Sequence, residues 1–266
     1  MAQPVRPLAA HEIDAFHTRG FFVRPDVFSK TEIDAMSDAF DRLERTARQF
    51  AEPTPYRGAQ FVVHRDDGEP RRTCIDRIVW CGGAEPVLLA FGGDARLVAV
   101  AAQLLGSAEM SQLINQAHFK LPGDGVAFPW HQDSTHRRYG TPEWSDLNGR
   151  GSYVQTIIAL DDVTQDNGPI EFIPGSCLRG HIGLPRTGEL PADIDPASAV
   201  AATMRAGSVL VFGPYTIHRS LPNRSDVPRR VFINGYAYPG ANARVYPGEG
   251  SGRNLRHDGT RIRLAG

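Results

Sequence analysis

From about residue 107 to residue 240 the sequence consists of short apolar segments separated by turn residues, and no helical pattern lies between them. Parallel sheets need long, usually helical, crossovers between neighbouring strands, so this order favours an antiparallel sandwich or barrel over an α/β sheet. The candidate strands are residues 110–121, 152–160, 169–173, 208–212 and 231–238. We therefore expect a mainly β fold with flanking helices.

The residues before this region, about 1–106, are expected to be largely helical. Ser29 and Glu32 form a capping box ahead of an apolar stripe, which predicts a helix packed against a sheet. A second apolar helical region, residues 84–106, ends at Gly106 and is expected to brace the sheet from outside. Residues 51–70 are rich in Pro, Gly, Asp and Arg and predict a loop with one brief strand, which could act as a lid.

The 266 residues carry a formal net charge of -1, and no linker divides them, so we expect a single domain spanning 1–266. This charge gives no electrostatic reason to expect a nucleic-acid partner. An apolar run of the roughly 18 residues that a membrane span requires is absent, as is a signal-peptide core, so we expect no membrane partner and a cytoplasmic location. The oligomeric state stays open.

A His-x-Asp pair at His131 and Asp133 is the main chemical feature of the chain. Residues two apart on an extended strand project to the same side, so the pair is half of a metal site. His218, which follows the strand-like segment 208–212, is the best candidate for a third ligand. Two imidazoles and one carboxylate with open positions opposite are typical of non-haem Fe(II) oxygenases, although a lone His-x-Asp often arises by chance.

Arg229 lies at the start of the strand that follows His218. Its guanidinium could hold one carboxylate of a diacid co-substrate whose other end chelates the metal. Ser220, two residues after His218, could add a hydroxyl to the same carboxylate. Arg230 should point to the opposite face of a regular strand, where we expect a solvated surface charge.

Several motifs occur in the order in which the phytanoyl-CoA dioxygenase family of Fe(II)- and 2-oxoglutarate-dependent oxygenases has them, and the chain resembles that family over most of its length. The motifs are Lys120-Leu-Pro-Gly leading to Trp130-His131-Gln132-Asp133, Leu160–Pro169 followed by Ile173-Pro-Gly-Ser176, and His218-Arg-Ser220-Leu-Pro-Asn223 ahead of Arg229-Arg230. One departure is Cys177, where the family commonly has His. That position is not a metal ligand in the family, so the departure leaves the iron site unaffected.

The resemblance implies a double-stranded β-helix, a cupin-like jelly roll, with iron held by His131, Asp133 and His218. It further implies that Arg229 and Ser220 bind the distal carboxylate of 2-oxoglutarate. Gln116 matches a position that often contacts this co-substrate, although it could equally be an ordinary strand amide. The implied reaction uses O2, hydroxylates an unactivated C–H bond and releases succinate and CO2. Related halogenases lack the carboxylate ligand, so Asp133 favours hydroxylation over halogenation.

Substrate contacts are expected just after the metal motif, in a run that mixes hydrogen-bond donors with aromatic residues. If Arg137 or Arg138 faces the pocket, an anionic substrate is favoured, whereas surface loop charges are often merely solvated. The candidate substrate residues are Thr135, His136, Arg137, Tyr139 and Trp144. The prime substrate is expected to be a small-molecule metabolite, and the sequence does not identify it.

Two other functions remain open at this point. The same ligands support desaturation, cyclisation, epimerisation and endoperoxide formation, because substrate placement decides the outcome. A jelly-roll binding module without turnover is the alternative from another class. A carboxylate clamp beside an open metal site argues against such a module.

Overall fold

The computed structural model describes residues 5–66 and 72–258, together with the backbone of residues 262–264. Its helices are α1 (Ala10–Thr18), α2 (Lys30–Ala47), α3 (Pro86–Gly92), α4 (Ala95–Leu105) and α5 (Asp133–His136), with short 3-10 turns at Cys81–Gly83, Ser176–Arg179 and Pro196–Ser198. Its strands are β1 (Phe21–Arg24), β2 (Thr54–Tyr56), β3 (Ala59–Asp66), β4 (Arg72–Val79), β5 (Glu109–Lys120), β6 (Phe128–His131), β7 (Tyr153–Ala159), β8 (Ile170–Phe172), β9 (Val200–Ala201), β10 (Val209–Phe212), β11 (His218–Ser220), β12 (Arg229–Ala237), β13 (Arg253–His257) and β14 (Ile262–Leu264).

The strands form two antiparallel sheets. The larger sheet has the order β1-β10-β7-β12-β5-β4-β3-β2, and β13 pairs with β5 and with β14. The smaller sheet has the order β6-β11-β8-β9. Neighbouring strands come from distant parts of the chain, as in a jelly roll. The predicted mainly β jelly-roll fold is confirmed.

Helix α2 covers one face of the larger sheet. Its capping box is present, since the Ser29 side chain accepts from the Glu32 N–H and the Glu32 carboxylate accepts from the Ser29 N–H at 2.8 Å. The stripe Met36, Phe40 and Leu43 is buried, and Phe40 contacts Phe232 of β12 with ring centroids 6.3 Å apart. The predicted helix and its packing against a sheet are confirmed.

The prediction of a loop with one brief strand at residues 51–70 was wrong in its extent: the brief strand is part of a longer one, β3. Residues 54–66 form a hairpin, β2 and β3, that joins β4 at the edge of the larger sheet. The turn places Arg57 and Gly58 at positive φ, 48° and 72°, and Ala59, Phe61 and Val63 alternate into the core. The turn residues and charges obscured this period-2 pattern. Residues 67–71 lie outside the described residues. Because β2, β3 and β4 belong to the larger sheet, the N-terminal part contributes strands as well as helices.

The expectation for Arg230 was also wrong. Its side chain is only 15% exposed and makes ion pairs with Asp161 at 2.8 Å and with Asp41 of α2 at 2.7 Å. The register does direct it away from the Arg229 side chain, but α2 covers that face of the sheet. A positively charged side chain that a helix covers needs carboxylate partners there, because an unpaired buried charge is costly.

Within the described residues, no single helix has both the length and the apolar character needed to cross a membrane. The bent pair α3 and α4 passes that test together, by length and composition only.

Candidate active site

A cavity of about 330 Å³ lies between the two sheets. Strands β5, β7 and β12 of the larger sheet line one side, and strands β6, β8 and β11 of the smaller sheet line the other. The polar residues that line it include His131, Asp133 and His218 near the small sheet, and Arg229 and Gln116 near the large one. The fold therefore brings residues far apart in the sequence to one cavity.

His131 ends β6 and His218 begins β11, and the two strands are antiparallel neighbours. The two histidines are Cα partners in this pairing, with ring centroids 4.1 Å apart. Asp133 is the first residue of α5, directly after β6. One potential ligand atom from each of the three residues lies within 4.8 Å of the other two, so the group has the spacing of a metal site.

Backbone carbonyls orient both imidazoles. His131 Nδ1 lies 2.7 Å from the Pro129 carbonyl, and His218 Nδ1 lies 2.9 Å from the Thr216 carbonyl. A carbonyl can only accept, so each Nδ1 carries the proton and each Nε2 keeps a free lone pair. This is the tautomer that a metal ligand needs.

The charge state of the three residues also suits a cation. Burial, helped by the neighbouring His131, lowers the pKa of His218 to about 3, so this imidazole is neutral near pH 7. Burial raises the pKa of Asp133, but His218 and Arg137 outweigh it, and the net pKa lies below the usual value. The buried Asp133 Oδ2 has no hydrogen-bond partner. A neutral His218 imidazole and an unsatisfied carboxylate oxygen fit a divalent metal ion.

Gln132, between the two ligands of the motif, is fully buried and holds this segment in place. Its amide donates to the carbonyls of Gly180 at 2.9 Å and Tyr215 at 2.6 Å, and its oxygen accepts from the Ile182 N–H at 3.0 Å. Sequence reasoning assigned Gln132 no role, because its partners lie about fifty and eighty residues away. It links the metal motif to two later loops.

Arg229 is buried, with 3% of its surface exposed. One Nη donates to the Gly168 carbonyl at 2.6 Å, and Nε has no hydrogen-bond partner. Across the described residues no carboxylate forms an ion pair with it. Burial lowers its pKa to about 10, so the side chain is still a cation near pH 7. A buried guanidinium without a counter-charge is prepared to bind an anion.

Strand β5 directs Gln116, His118 and Lys120 toward the cavity at a spacing of two. The Gln116 Oε1 lies 3.0 Å from His118 Nε2. The Lys120 ammonium donates to the carbonyls of Val126 at 2.7 Å, Ser220 at 3.4 Å and Leu221. Sequence reasoning singled out Gln116 but missed His118 as a lining residue, although the alternation along the strand is a signal that could have identified it.

Ser220 of β11 is buried and lines the same cavity as Arg229. The structure thus brings together His131, Asp133, His218, Ser220 and Arg229, which sequence reasoning selected as metal- and co-substrate-binding residues.

The five residues selected as substrate contacts separate into two groups. His136 and the buried Arg137 line the cavity, and the His136 ring centroid lies 5.1 Å from that of His131. Tyr139 and Trp144 instead stack on each other in the core with centroids 4.9 Å apart. Neither of these two, nor Thr135, is among the described residues that line the cavity.

Arg138, the other arginine of the run, is exposed. Its Nε lies 3.7 Å from the Glu143 carboxylate. Arg137 is therefore the residue of this pair that faces the cavity.

Comparison with known proteins agrees with this geometry. The profile of the Phytanoyl-CoA dioxygenase (PhyH) family matches residues 16–231. Ectoine dioxygenase of Halomonas elongata is 28% identical over 247 residues, which cover 84% of this chain and 68% of that protein.

Two solved structures share the fold. The crystal structure of EvdO2 from Micromonospora carbonacea var. aurantiaca, complexed with 2-oxoglutarate, superposes with a TM-score of 0.65 at 26% identity, covering 92% of this chain and 97% of that one. The crystal structure of EctD from S. alaskensis, with 2-oxoglutarate and 5-hydroxyectoine, gives a TM-score of 0.65 at 25% identity, covering 88% and 78% of the two chains.

Proposed function

The chain belongs to the phytanoyl-CoA dioxygenase family of Fe(II)- and 2-oxoglutarate-dependent dioxygenases, and we propose that it hydroxylates a C–H bond of a small-molecule metabolite. The enzyme uses ferrous iron, 2-oxoglutarate and O2. In this proposal His131, Asp133 and His218 hold the iron, and Arg229 binds the far carboxylate of 2-oxoglutarate. Ser220 and Gln116 are proposed to assist Arg229.

One observation carries the proposal. Three metal-ligand atoms within 4.8 Å of one another share a cavity with a buried arginine that has no carboxylate partner among the described residues. A diacid with a keto group beside one carboxylate matches both halves of this arrangement, since one end chelates a metal and the other end accepts from a guanidinium. A binding module would have no use for both.

The bound iron would supply the centre at which O2 and 2-oxoglutarate react, giving succinate and CO2 and oxidising the substrate. The protein's own residues bind and orient. Backbone carbonyls fix the two imidazoles, and Arg229 with Ser220 sets the direction of the co-substrate. Apolar side chains such as Ile157, Phe212 and Val231 line the same cavity and keep bulk water from it.

Hydroxylation is the proposed outcome because a relative, EctD, was solved with 5-hydroxyectoine, and the carboxylate ligand favours it over halogenation. The test is anaerobic reconstitution with Fe(II) and 2-oxoglutarate, addition of O2, and measurement of succinate across a panel of metabolites. Mass spectrometry of the stimulating compound should show a gain of one oxygen. Loss of two hydrogens, or an isomer of unchanged mass, would contradict hydroxylation while leaving the oxygenase class intact.

The oxygenase class has its own control. Asp133→Ala should form no succinate, whereas Asp34→Ala, which removes an exposed carboxylate from α2, should behave as the parent protein. Succinate formation by Asp133→Ala at the parent rate would remove the iron-ligand assignment.

A further inference from the structure

We propose that Arg137, Arg77 and Arg244 form a second anion-binding subsite in the cavity, which recognises a carboxylate or phosphate group of the prime substrate. The inference rests on the proposed function, because it takes the Arg229 end of the cavity to be filled by 2-oxoglutarate. All three arginines line the cavity that contains the metal-ligand cluster.

Arg137 is the centre of this subsite. Only 7% of its surface is exposed, and its guanidinium carbon lies 5.0 Å from the Tyr153 ring centroid and 5.2 Å from that of Tyr246. Its Nε has no hydrogen-bond partner, and no carboxylate in the described part of the chain makes an ion pair with it. Aromatic faces support a guanidinium but do not neutralise its charge. Such a group binds an anion that arrives with a ligand.

Arg244 approaches the same tyrosine from another direction. Its guanidinium carbon lies 5.1 Å from the Tyr246 centroid, and one Nη donates to the His136 carbonyl at 3.2 Å. The buried Tyr246 hydroxyl also lacks a hydrogen-bond partner. Two guanidinium groups on one ring repel each other unless an anion lies between or beside them. The hydroxyl could donate to that same anion.

Arg77 reaches the cavity from β4 of the larger sheet. Burial lowers its pKa, while the adjacent Asp76 raises it in part, and no ion pair within the described ranges neutralises it. The side chain is partly exposed. It therefore adds positive charge to the lining of the cavity that Arg137 also faces.

The other basic residues of the cavity already have partners. Arg219 pairs with Glu171 at 2.7 Å, and three carbonyls accept from Lys120. A 2-oxoglutarate dianion would offset Arg229 together with the charge that remains on a ferrous ion bound to Asp133. Within the described residues no carboxylate forms an ion pair with Arg137, Arg77 or Arg244, which assigns the remaining anion to the substrate.

The proposal is tested by ligand-observed NMR on protein loaded anaerobically with Fe(II) and saturating 2-oxoglutarate. The probes are benzoate, phenyl phosphate and the neutral benzamide, which share one ring. We expect one or both anions to bind and benzamide to bind at least about tenfold more weakly, as for the loss of a charge-assisted hydrogen bond. The better of the two anions identifies the group as carboxylate or phosphate.

Two matched variants locate the binding. Arg137→Gln should weaken the anion about tenfold to a hundredfold, whereas Arg138→Gln, which removes the same charge from an exposed neighbour, should shift it less than about twofold. Arg244→Gln is the second variant, for use if Arg137→Gln does not fold. The Arg244 side chain is only partly buried, so its replacement should disturb folding less. It should weaken the anion in the same direction.

Three outcomes overturn the proposal. These are equal or absent binding of the three probes, equal effects of Arg137→Gln and Arg138→Gln, and anion binding that occurs only in protein without 2-oxoglutarate. The last would place the anion at Arg229. None of these binding measurements depends on turnover. Succinate formation without a preference for the anionic probes would refute the subsite alone. Absence of succinate would refute the proposed function alone.

Discussion

His131 and His218 are Cα partners on adjacent antiparallel strands, and each imidazole is held by the backbone carbonyl two residues before it, Pro129 and Thr216. The register of β6 and β11 therefore sets the separation of two metal ligands, and the two carbonyls fix the rotation of their imidazole rings. Little reorganisation is needed when a metal binds, which favours affinity. Asp133 completes the group one residue beyond the strand end.

Metal binding should stabilise the protein through Asp133. At a metal concentration about a hundredfold above its Kd, binding to the folded state alone adds about 2.7 kcal/mol to the free energy of unfolding. Asp133→Ala should lose most of this increment, and Asp34→Ala should keep it. The measurement is urea unfolding under anaerobic conditions with and without Fe(II) or Mn(II). An equal metal-induced increment in both variants would contradict the ligand role.

Arg229→Met should raise the KM for 2-oxoglutarate about tenfold to a hundredfold or more, as expected for loss of a charge-assisted hydrogen bond. Succinate formation at varied 2-oxoglutarate concentration measures this value. Arg230→Gln, which changes the paired arginine on the opposite face, should leave this KM within about twofold. A KM that rises equally in both variants would show a general loss of structure.

The same pair of variants should affect stability in opposite directions when no ligand is present. Arg229 is a buried cation without a carboxylate partner among the described residues, so Arg229→Met should raise the free energy of unfolding by about 1–3 kcal/mol. Arg230→Gln removes ion pairs with Asp161 and Asp41 and should lower it. Urea titrations of the ligand-free proteins measure both values. A destabilised Arg229→Met would mean that its bond to Gly168 outweighs the burial of the charge.

Lys120 should titrate far below an ordinary lysine. Burial and the nearby Arg229 lower its pKa from 10.5 to about 6, although the three carbonyl acceptors favour the ammonium form. The chain has only one other lysine, Lys30, which is exposed. Lysine 13Cε NMR should therefore give two titrating signals, assigned with Lys120→Met. Two pKa values above 10 would show that the carbonyls outweigh burial.

This shift predicts a pH dependence of stability. Between about pH 6 and pH 10.5 the unfolded lysine binds a proton that the folded one has released, so the free energy of unfolding rises with pH across this window. The slope is at most about 1.4 kcal/mol per pH unit. The free energy of unfolding of the parent protein minus that of Lys120→Met should therefore be larger at pH 9 than at pH 7. Urea unfolding of both proteins at the two pH values measures it.

Gln132→Ala should weaken metal binding about tenfold to a hundredfold, because Gln132 positions the residues on either side of it. It should also cost about 1–3 kcal/mol of stability for the polar groups left unpaired. Gln112→Ala is a matched control: Gln112 is fully buried and bonds to Gly92, Asn234 and Arg253, but it does not line the cavity. It should lose stability without losing metal affinity. Calorimetric metal titration separates the two effects.

Local patterns predicted much of this molecule. The capping box of α2 and the apolar β segments each depend on neighbours in the sequence, and both are present in the fold. The selection of His131, Asp133 and His218 as one group needed only period-2 alternation and a familiar chemical pattern, and the structure brings them together.

Long-range packing decided what sequence reasoning missed. Arg230 is paired because α2 happens to cover its face, and β3 is a full strand because β4 and β2 pair with it on both sides. Tyr246 lies in a Gly- and Arg-rich tail with no pattern of its own, yet it contacts the guanidinium of Arg137. Neither the covering helix nor the tail contact has a local signature in the sequence.

The cavity draws its residues from separate stretches of the chain. The metal ligands and Arg229 belong to β6, α5, β11 and β12, whereas Arg77 lies on β4 and Arg244 and Tyr246 lie in the segment after β12. Substitutions of Arg77, Arg244 and Tyr246 thus remove no proposed iron ligand. Under the proposed roles, such a division lets natural variation or directed evolution exchange one metabolite for another while the oxidative chemistry is inherited unchanged.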